Sequence, residues 1–338
     1  MEIKCRSWIV ALAVAATLTG TTSLAAPVPP NEISAHPGLL ARLPDGRRLN
    51  FRCSGQGAPT VILEGGYAAT SLAWSRVRAL VAKTNRVCTY DRAGYGFSDP
   101  GPLPRDGAAI ARDLDRGLRA ARISGPFILV GHSAGALYVR LFSNRRPREV
   151  VGMVLVDPSV EYQEQRFAAE FGPGAGSVAP LKAVAARCLA AAEQDLLPSS
   201  EPGLARCSDR ASQNQPASVA AARMAESIRA STWRTKLSEL DTLWTSTSMQ
   251  LSDGRQSYGE LPLIVLTAEG TYSSAPEPAR GAVQSLWQRL HQELADRSTR
   301  GVERQVANSS HMMMNDRPEV VAAAIAEIAG AARSRVRR

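Results

Sequence analysis

Short apolar runs alternate with amphipathic stretches along the first half of the chain. Residues 39–43 and 48–53 flank Pro44-Asp45-Gly46-Arg47, and the Asp-Gly pair supports the turn of a β-hairpin. Residues 60–63 and 86–90 are short strands. Between them, residues 71–83 place Leu72, Val77, Leu80 and Val81 on one side of a helix. Residues 106–123 predict a helix with Ile110, Leu114 and Leu118 turned inward. A buried strand follows at 127–130, a helix at 134–145 and another apolar strand at 150–156. Strands with unbroken apolar runs, separated by helices, predict an α/β fold whose parallel sheet is covered on both faces.

The alternation stops after residue 157. Residues 158–261 are rich in Ala, Ser, Gln and Arg, contain Trp233 and Trp244, and show no strand pattern. A segment this long is not an unstructured loop of a compact domain, so it predicts an inserted helical cap. The sheet resumes at 261–267, with a helix at 284–295, a last strand at 302–306 and a closing helix at 318–332. No internal repeat is present. The expected organisation is a signal peptide (1–25), an extended arm with Pro27, Pro29, Pro30 and Pro37 (26–38), an α/β core in two parts (39–157 and 262–333) around the cap (158–261), and a basic tail (334–338).

Composition narrows the class. The chain has 338 residues, 44% of them hydrophobic, which suffices for one large core. Its net charge of +9 would suit nucleic acid, but the basic residues are dispersed and only 333–338 form a run. A solvated surface is the expectation, with no nucleic-acid partner. Lys4 and Arg6 precede an apolar stretch at 8–18 that is too short to span a bilayer. Ser23-Leu24-Ala25 offers a cleavage site that makes Ala26 the mature start. The expectation is a secreted or periplasmic protein with no stable membrane insertion after cleavage; the competing reading is an uncleaved anchor. Cys5 leaves with the signal. Cys53, Cys88, Cys188 and Cys207 remain, with three possible disulfide connectivities or four buried thiols. No His/Cys cluster has metal-ligand spacing, and no cofactor is expected. The oligomeric state is left open.

The chemistry centres on Gly131-His132-Ser133-Ala134-Gly135, between a strand and a helix. Glycines there permit a sharp turn that lifts a serine hydroxyl off the sheet, with a helix N-terminus behind it to hold developing negative charge. Ser133 is the candidate nucleophile and needs a base. Of His36, His132, His291 and His311, the last lies in the polar loop after the final strand and is the candidate. Asp157 ends the strand next after the nucleophile's own; Glu269, after 261–267, is the alternative acid. The oxyanion hole is assigned to the backbone N–H groups of Ala134 and Tyr67, the latter following Glu64-Gly65-Gly66. Arg92 is expected to pair with Glu64, because a buried Glu64 needs a cation.

Together these segments resemble the α/β-hydrolase superfamily, in the branch with an inserted helical cap. The resemblance covers 39–157 and 262–333 and rests on Leu63-Glu64-Gly65-Gly66, Asp91-Arg92-Ala93-Gly94-Tyr95-Gly96, the Ser133 motif, and His311 before Asp316-Arg317-Pro318. It implies a mostly parallel, eight-stranded-type sheet and the chain order nucleophile, acid, base. Two positions depart from the family pattern. Gly65 replaces a common His, and Thr271 stands near the usual acid, which shifts the acid role toward Asp157. Family topology also makes the strands of Cys53 and Cys88 neighbours and puts Cys188 and Cys207 together in the cap, favouring those two bridges. A serine nucleophile implies acyl transfer to water from a small-molecule ester, thioester or amide. Met312, Met313 and Met314, with Trp233 and Trp244, either line an apolar acyl pocket or fill the core. Alternatives are an acyltransferase or perhydrolase on the same triad, or a catalytically silent binding module on the same scaffold.

Overall fold

The computed structural model describes residues 33–208 and 216–336; the predicted signal peptide, most of the arm and the end of the tail lie outside them. The strands are β1 (Leu39–Arg42), β2 (Arg48–Ser54), β3 (Thr60–Glu64), β4 (Val87–Tyr90), β5 (Phe127–His132), β6 (Val150–Val156), β7 (Leu263–Ala268) and β8 (Gly301–Val306). They form one eight-stranded sheet in the order β1-β2-β4-β3-β5-β6-β7-β8. The β1–β2 hairpin is antiparallel and joins β4 antiparallel, while the pairs from β4 through β8 are parallel. Gly46, in the hairpin turn, takes φ +88°, the left-handed conformation glycine adopts without strain.

Helices α1 (Ser75–Val81), α2 (Gly107–Ala120) and α3 (Gly135–Arg145) connect the first strands. Asp106 caps α2, its Oδ1 accepting from the Ala109 N–H at 2.8 Å. Between β6 and β7 lie α4 (Gln163–Phe171), α5 (Ala179–Glu193), α6 (Ala217–Ser227), α7 (Ala230–Thr242) and α8 (Ser248–Ser252). The described residues of this insertion contain no strand beyond the bridging residue Gly259. The chain closes with α9 (Ala279–Ala295), α10 (Met313–Asp316) and α11 (Pro318–Val336).

The buried strands carry two cores because successive side chains face opposite sides of the sheet. Phe127 and Leu129 of β5 join Met153 and Leu155 of β6 against α2, α3 and α9. Ile128 and Val130 join Val154 and Val156 against α1 and α11. Each fully buried aliphatic side chain contributes about 1.5–3 kcal/mol relative to exposure. Arg140, buried on α3, ties both ends of the insertion to the core: it pairs with Glu161 and donates to the Tyr258 hydroxyl at 2.9 Å.

Several elements differ from expectation; the helix expected over 106–123, for example, ends at Ala120. The helix expected over 71–83 opens with a tighter turn at Ser71–Trp74, where the Thr70 side chain accepts from the Leu72 N–H. Helix α9 starts at Ala279, five residues before its apolar face begins, because the residues of its first turn are exposed. The single turn of α10 is too short to show a period.

Both bridges favoured by the resemblance are present. Cys53 and Cys88 are direct cross-strand partners on β2 and β4, and Cys188 on α5 joins Cys207. The second encloses a sequence separation of 19. Replacing Cys188 and Cys207 by Ser should lower the unfolding free energy by about 3 kcal/mol, from the regained loop entropy of the unfolded chain. Urea titration of the double variant against wild type measures it, and an unchanged midpoint would show that the bridge adds nothing.

Candidate active site

Strand β5 ends at His132 and α3 begins at Gly135, so Ser133 occupies the turn between them. Its φ of +51° lies in the left-handed region, a strain of about 1–3 kcal/mol for a non-glycine residue. The flanking glycines answer to close approach. A Cβ on Gly131 would lie 2.7 Å from Ala136 Cα, and one on Gly135 would lie 2.5 Å from the Gly65 carbonyl oxygen. The turn is tied to the next strand, with Ser133 N–H donating to Val156 O at 3.2 Å and Ser159 N–H to Ser133 O at 3.0 Å.

Asp157 follows β6 directly, also left-handed at φ +43° and with no exposed surface. Four donors converge on its carboxylate. Ala268 N–H (3.0 Å) and Trp287 Nε1–H (2.9 Å) reach Oδ1. The Thr271 hydroxyl (2.5 Å) and His311 Nδ1 (2.6 Å) reach Oδ2. Burial alone would raise the Asp157 pKa; the His311 hydrogen bond, the nearby imidazoles and Thr271 outweigh it and hold it below the ordinary value. The ionised carboxylate therefore keeps the proton on His311 Nδ1 and leaves Nε2 as the basic nitrogen. Glu269 is exposed and accepts from the Asn308 N–H at 3.1 Å, so it is not brought to His311. Thr271, standing near the position where the family pattern has its acid, thus donates to Asp157.

The other histidines are sorted by their surroundings. His36 is exposed in the arm. His132 Nε2 donates to the His311 carbonyl at 2.8 Å, and the two rings lie 4.6 Å apart, which holds the His311 loop against the Ser133 turn. Burial, with the nearby His311, pushes the His132 pKa down to about 3. His291 is fully buried on α9. Its Nδ1 accepts from the Thr267 hydroxyl at 2.7 Å and its Nε2 donates to Pro158 O at 2.9 Å, so it braces the backbone just after Asp157. Neither bracing role shows in the sequence, because each acts on a backbone carbonyl distant along the chain.

The glycine loop after β3 lies against the Ser133 turn: a Cβ on Gly66 would be 2.9 Å from Ser133 Cβ. Tyr67 follows it, half-buried, and Ala134 heads α3, where first-turn N–H groups lack helical acceptors. The expected Arg92–Glu64 pair is present at 2.8 Å, and both side chains are buried. Arg92 also donates to the Gly65 and Gly66 carbonyls, each at 2.8 Å, and to both carboxylate oxygens of Glu239 on α7. Glu239 escaped the sequence reading, which had no way to align the insertion with the core. All five guanidinium donors are thereby used.

A cavity of about 580 Å³ opens next to this region, with Tyr67 and Met312 on its wall together with Trp233. Met313 and Met314 instead fill the core with α11, and Trp244 is buried in the other core. Of the five residues considered for an apolar acyl pocket, Met312 and Trp233 line the cavity. Among the described residues, no group of three or more His, Cys, Asp or Glu side chains is gathered for a metal ion, and no helix is long and apolar enough to cross a membrane.

Residues 61–324 match the alpha/beta hydrolase family, and the chain belongs to it. Among curated relatives, the uncharacterized protein YqjL of Bacillus subtilis (strain 168) is 25% identical over 275 residues, covering 81% of this chain and 85% of YqjL. An AB hydrolase superfamily protein of Gibberella zeae is 40% identical over 113 residues, 32% of this chain and 35% of that protein. Among solved structures, the epoxide hydrolase CorEH aligns with TM-score 0.58 at 15% identity, covering 86% of this chain and 97% of that one. A thermophilic esterase from Thermogutta terrifontis aligns with TM-score 0.55 at 18% identity, covering 86% and 96%. These structural likenesses are of the fold.

The buried imidazole of His291 makes stability depend on pH. Burial lowers its pKa from 6.5 to about 4. Between those values the unfolded chain binds more protons than the folded one, so this contribution is lost as pH falls from 7 to 4. The shift corresponds to about 3 kcal/mol. In His291→Gln, which can keep both hydrogen bonds, that loss is absent. The stability advantage of wild type over variant should therefore shrink by about 3 kcal/mol across this range, read by urea titration at each pH; a constant difference would show that His291 is not held neutral.

Proposed function

We propose that this protein is a serine hydrolase that cleaves a carboxylic ester, thioester or amide through an acyl-enzyme on Ser133. The observation that carries the reading is the 2.6 Å hydrogen bond from His311 Nδ1 to a buried, fully hydrogen-bonded Asp157 carboxylate, beside the strained Ser133 turn. Such a pair prepares Nε2 to take a hydroxyl proton.

In the reaction, Ser133 Oγ attacks the substrate carbonyl carbon as its proton passes to His311 Nε2. The backbone N–H groups of Tyr67 and Ala134 hold the negative charge on the tetrahedral oxygen. Asp157 stabilises the imidazolium without taking its proton. Collapse breaks the bond to the leaving group, which departs with the proton from His311, and the acyl group stays on Ser133. Water then attacks the acyl carbon, His311 takes a proton from it and returns one to Ser133 Oγ, and the acid is released. We assign residues 158–261 to a cap over this site. Export to a secreted or periplasmic location is supported by the pattern of residues 1–25 and by two disulfides, which persist in oxidising compartments.

Wild type should be labelled by a fluorophosphonate and should hydrolyse p-nitrophenyl esters, and Ser133→Ala should do neither. Labelling that persists in Ser133→Ala would overturn the nucleophile. Asp157→Asn should lower kcat by about 10³–10⁴-fold with KM little changed, because the imidazole loses its preferred tautomer. Glu269→Gln should stay within about twofold of wild type; the reverse ranking in steady-state kinetics would move the acid to Glu269.

A further inference from the structure

The Arg92 cluster reaches from the insertion to the peptide unit that carries one of the two assigned oxyanion donors. A trans peptide is planar, so its C=O and N–H point in opposite directions. The Gly66 carbonyl and the Tyr67 N–H belong to one such unit. Gly66 O accepts from Arg92 Nη2 at 2.8 Å and from the Ala69 N–H at 3.2 Å. With its oxygen held there, the unit turns the Tyr67 N–H away from Arg92. Gly66 itself packs on the Ser133 turn, where a Cβ would lie 2.9 Å from Ser133 Cβ. Among the described residues, neither the Tyr67 N–H nor the Ala134 N–H donates to a backbone carbonyl, which leaves both for a substrate oxygen.

What fixes Arg92 Nη2 comes from the insertion. Glu239 on α7 accepts from Nε at 3.0 Å and from Nη2 at 3.1 Å, a paired grip on one edge of the guanidinium. Glu64 and the Gly65 carbonyl hold Nη1 instead, each at 2.8 Å. The rings of Tyr95 and Tyr138 lie 4.9 and 5.3 Å from the guanidinium carbon and close around it. Charge balance does not call for Glu239, since Glu64 alone neutralises Arg92; what Glu239 adds is direction. We propose that Glu239 is a positioning residue that, through Arg92 Nη2 and the Gly66 carbonyl, aims the Tyr67 N–H at the oxyanion. A charged donor on the carbonyl also polarises the unit and strengthens its N–H as a donor. This rests on the serine-hydrolase reading and its oxyanion assignment, and adds to them a residue from the insertion.

The test uses the full chain, a p-nitrophenyl ester and the trifluoromethyl ketone of the same acyl chain. Active sites are counted by fluorophosphonate labelling to completion, so loss of folded protein cancels. Ser133 Oγ adds to the ketone carbon, its proton passes to His311 and the carbonyl oxygen becomes an oxyanion, so the Ki of the ketone reads the oxyanion hole. Glu239→Gln keeps the size and the Glu64–Arg92 pair but turns an amide donor toward Arg92. Its kcat per site should fall at least about tenfold, part of the roughly 10²–10³-fold worth of a whole oxyanion donor, with KM within about twofold and Ki rising in step. Arg92→Lys keeps the cation with fewer donors, and should lower kcat and raise Ki at least as much even if Glu239→Gln does not fold. Ser238→Ala removes a different bond of α7 to the core, in which Ser238 Oγ accepts from the Arg105 N–H at 2.9 Å. It should leave kcat and Ki within about twofold of wild type. Values within about threefold of wild type in both Glu239→Gln and Arg92→Lys overturn the proposal. So does an equal loss in Ser238→Ala, which would assign the effect to docking of the insertion as a whole. Failure of the fluorophosphonate to label wild type at Ser133, with no ester turned over, overturns instead the hydrolase reading beneath it.

Discussion

A carboxylate with no exposed surface must be compensated inside the protein, and Asp157 organises the site around that need. An ion moved from water into a protein interior loses several kcal/mol of solvation unless hydrogen bonds replace it. Its replacements come from the end of β7, the loop that follows, α9, and the loop after β8: Ala268, Thr271, Trp287 and His311. Satisfying one ion therefore brings four separate segments to one edge of the sheet. The same contacts orient the imidazole and choose its tautomer. His291 adds a brace from α9 to the Pro158 carbonyl, just after the left-handed Asp157 backbone. Structure and chemistry share one cause here.

Arg92 solves a similar problem on the other side of the Ser133 turn. Its guanidinium lies between Glu64 of the core and Glu239 of the insertion and holds the carbonyls of Gly65 and Gly66. Two carboxylates around one cation leave a buried excess of negative charge. Burial, with the neighbouring Glu239, pushes the Glu64 pKa up to about 7, against the pull of Arg92 and Tyr90. Because one side chain grips both the glycine loop and α7, any displacement of the insertion is felt at the loop that would bind the oxyanion.

Most of the fold is legible along the chain. Runs such as 127–130 and 150–156 are apolar at every position because both faces of the sheet are covered, and that composition survives without knowledge of the partners. Legibility fades where a residue's role is set by something far away in sequence. The start of α9 carries no apolar signal because its first turn faces solvent. Met313 and Met314 look like Met312 in sequence, yet a single helical turn sends them into the core and leaves Met312 beside the cavity.

The candidate site divides along the same line. The Ser133 turn could be read directly from its two glycines between a strand and a helix, although only Gly131 answers to a neighbour close in sequence, Ala136, while Gly135 leaves room for the distant Gly65 carbonyl. His311 could be named from its polar loop after the last strand. The choice between Asp157 and Glu269 could not, because both follow apolar strands and differ only in where the strand ends point once the sheet is assembled. Nor could the contact of Glu239 with Arg92 be foreseen. An amphipathic helix announces that it has a buried face, but not which loop that face will cover, and contacts between the insertion and the core exist only after both have folded.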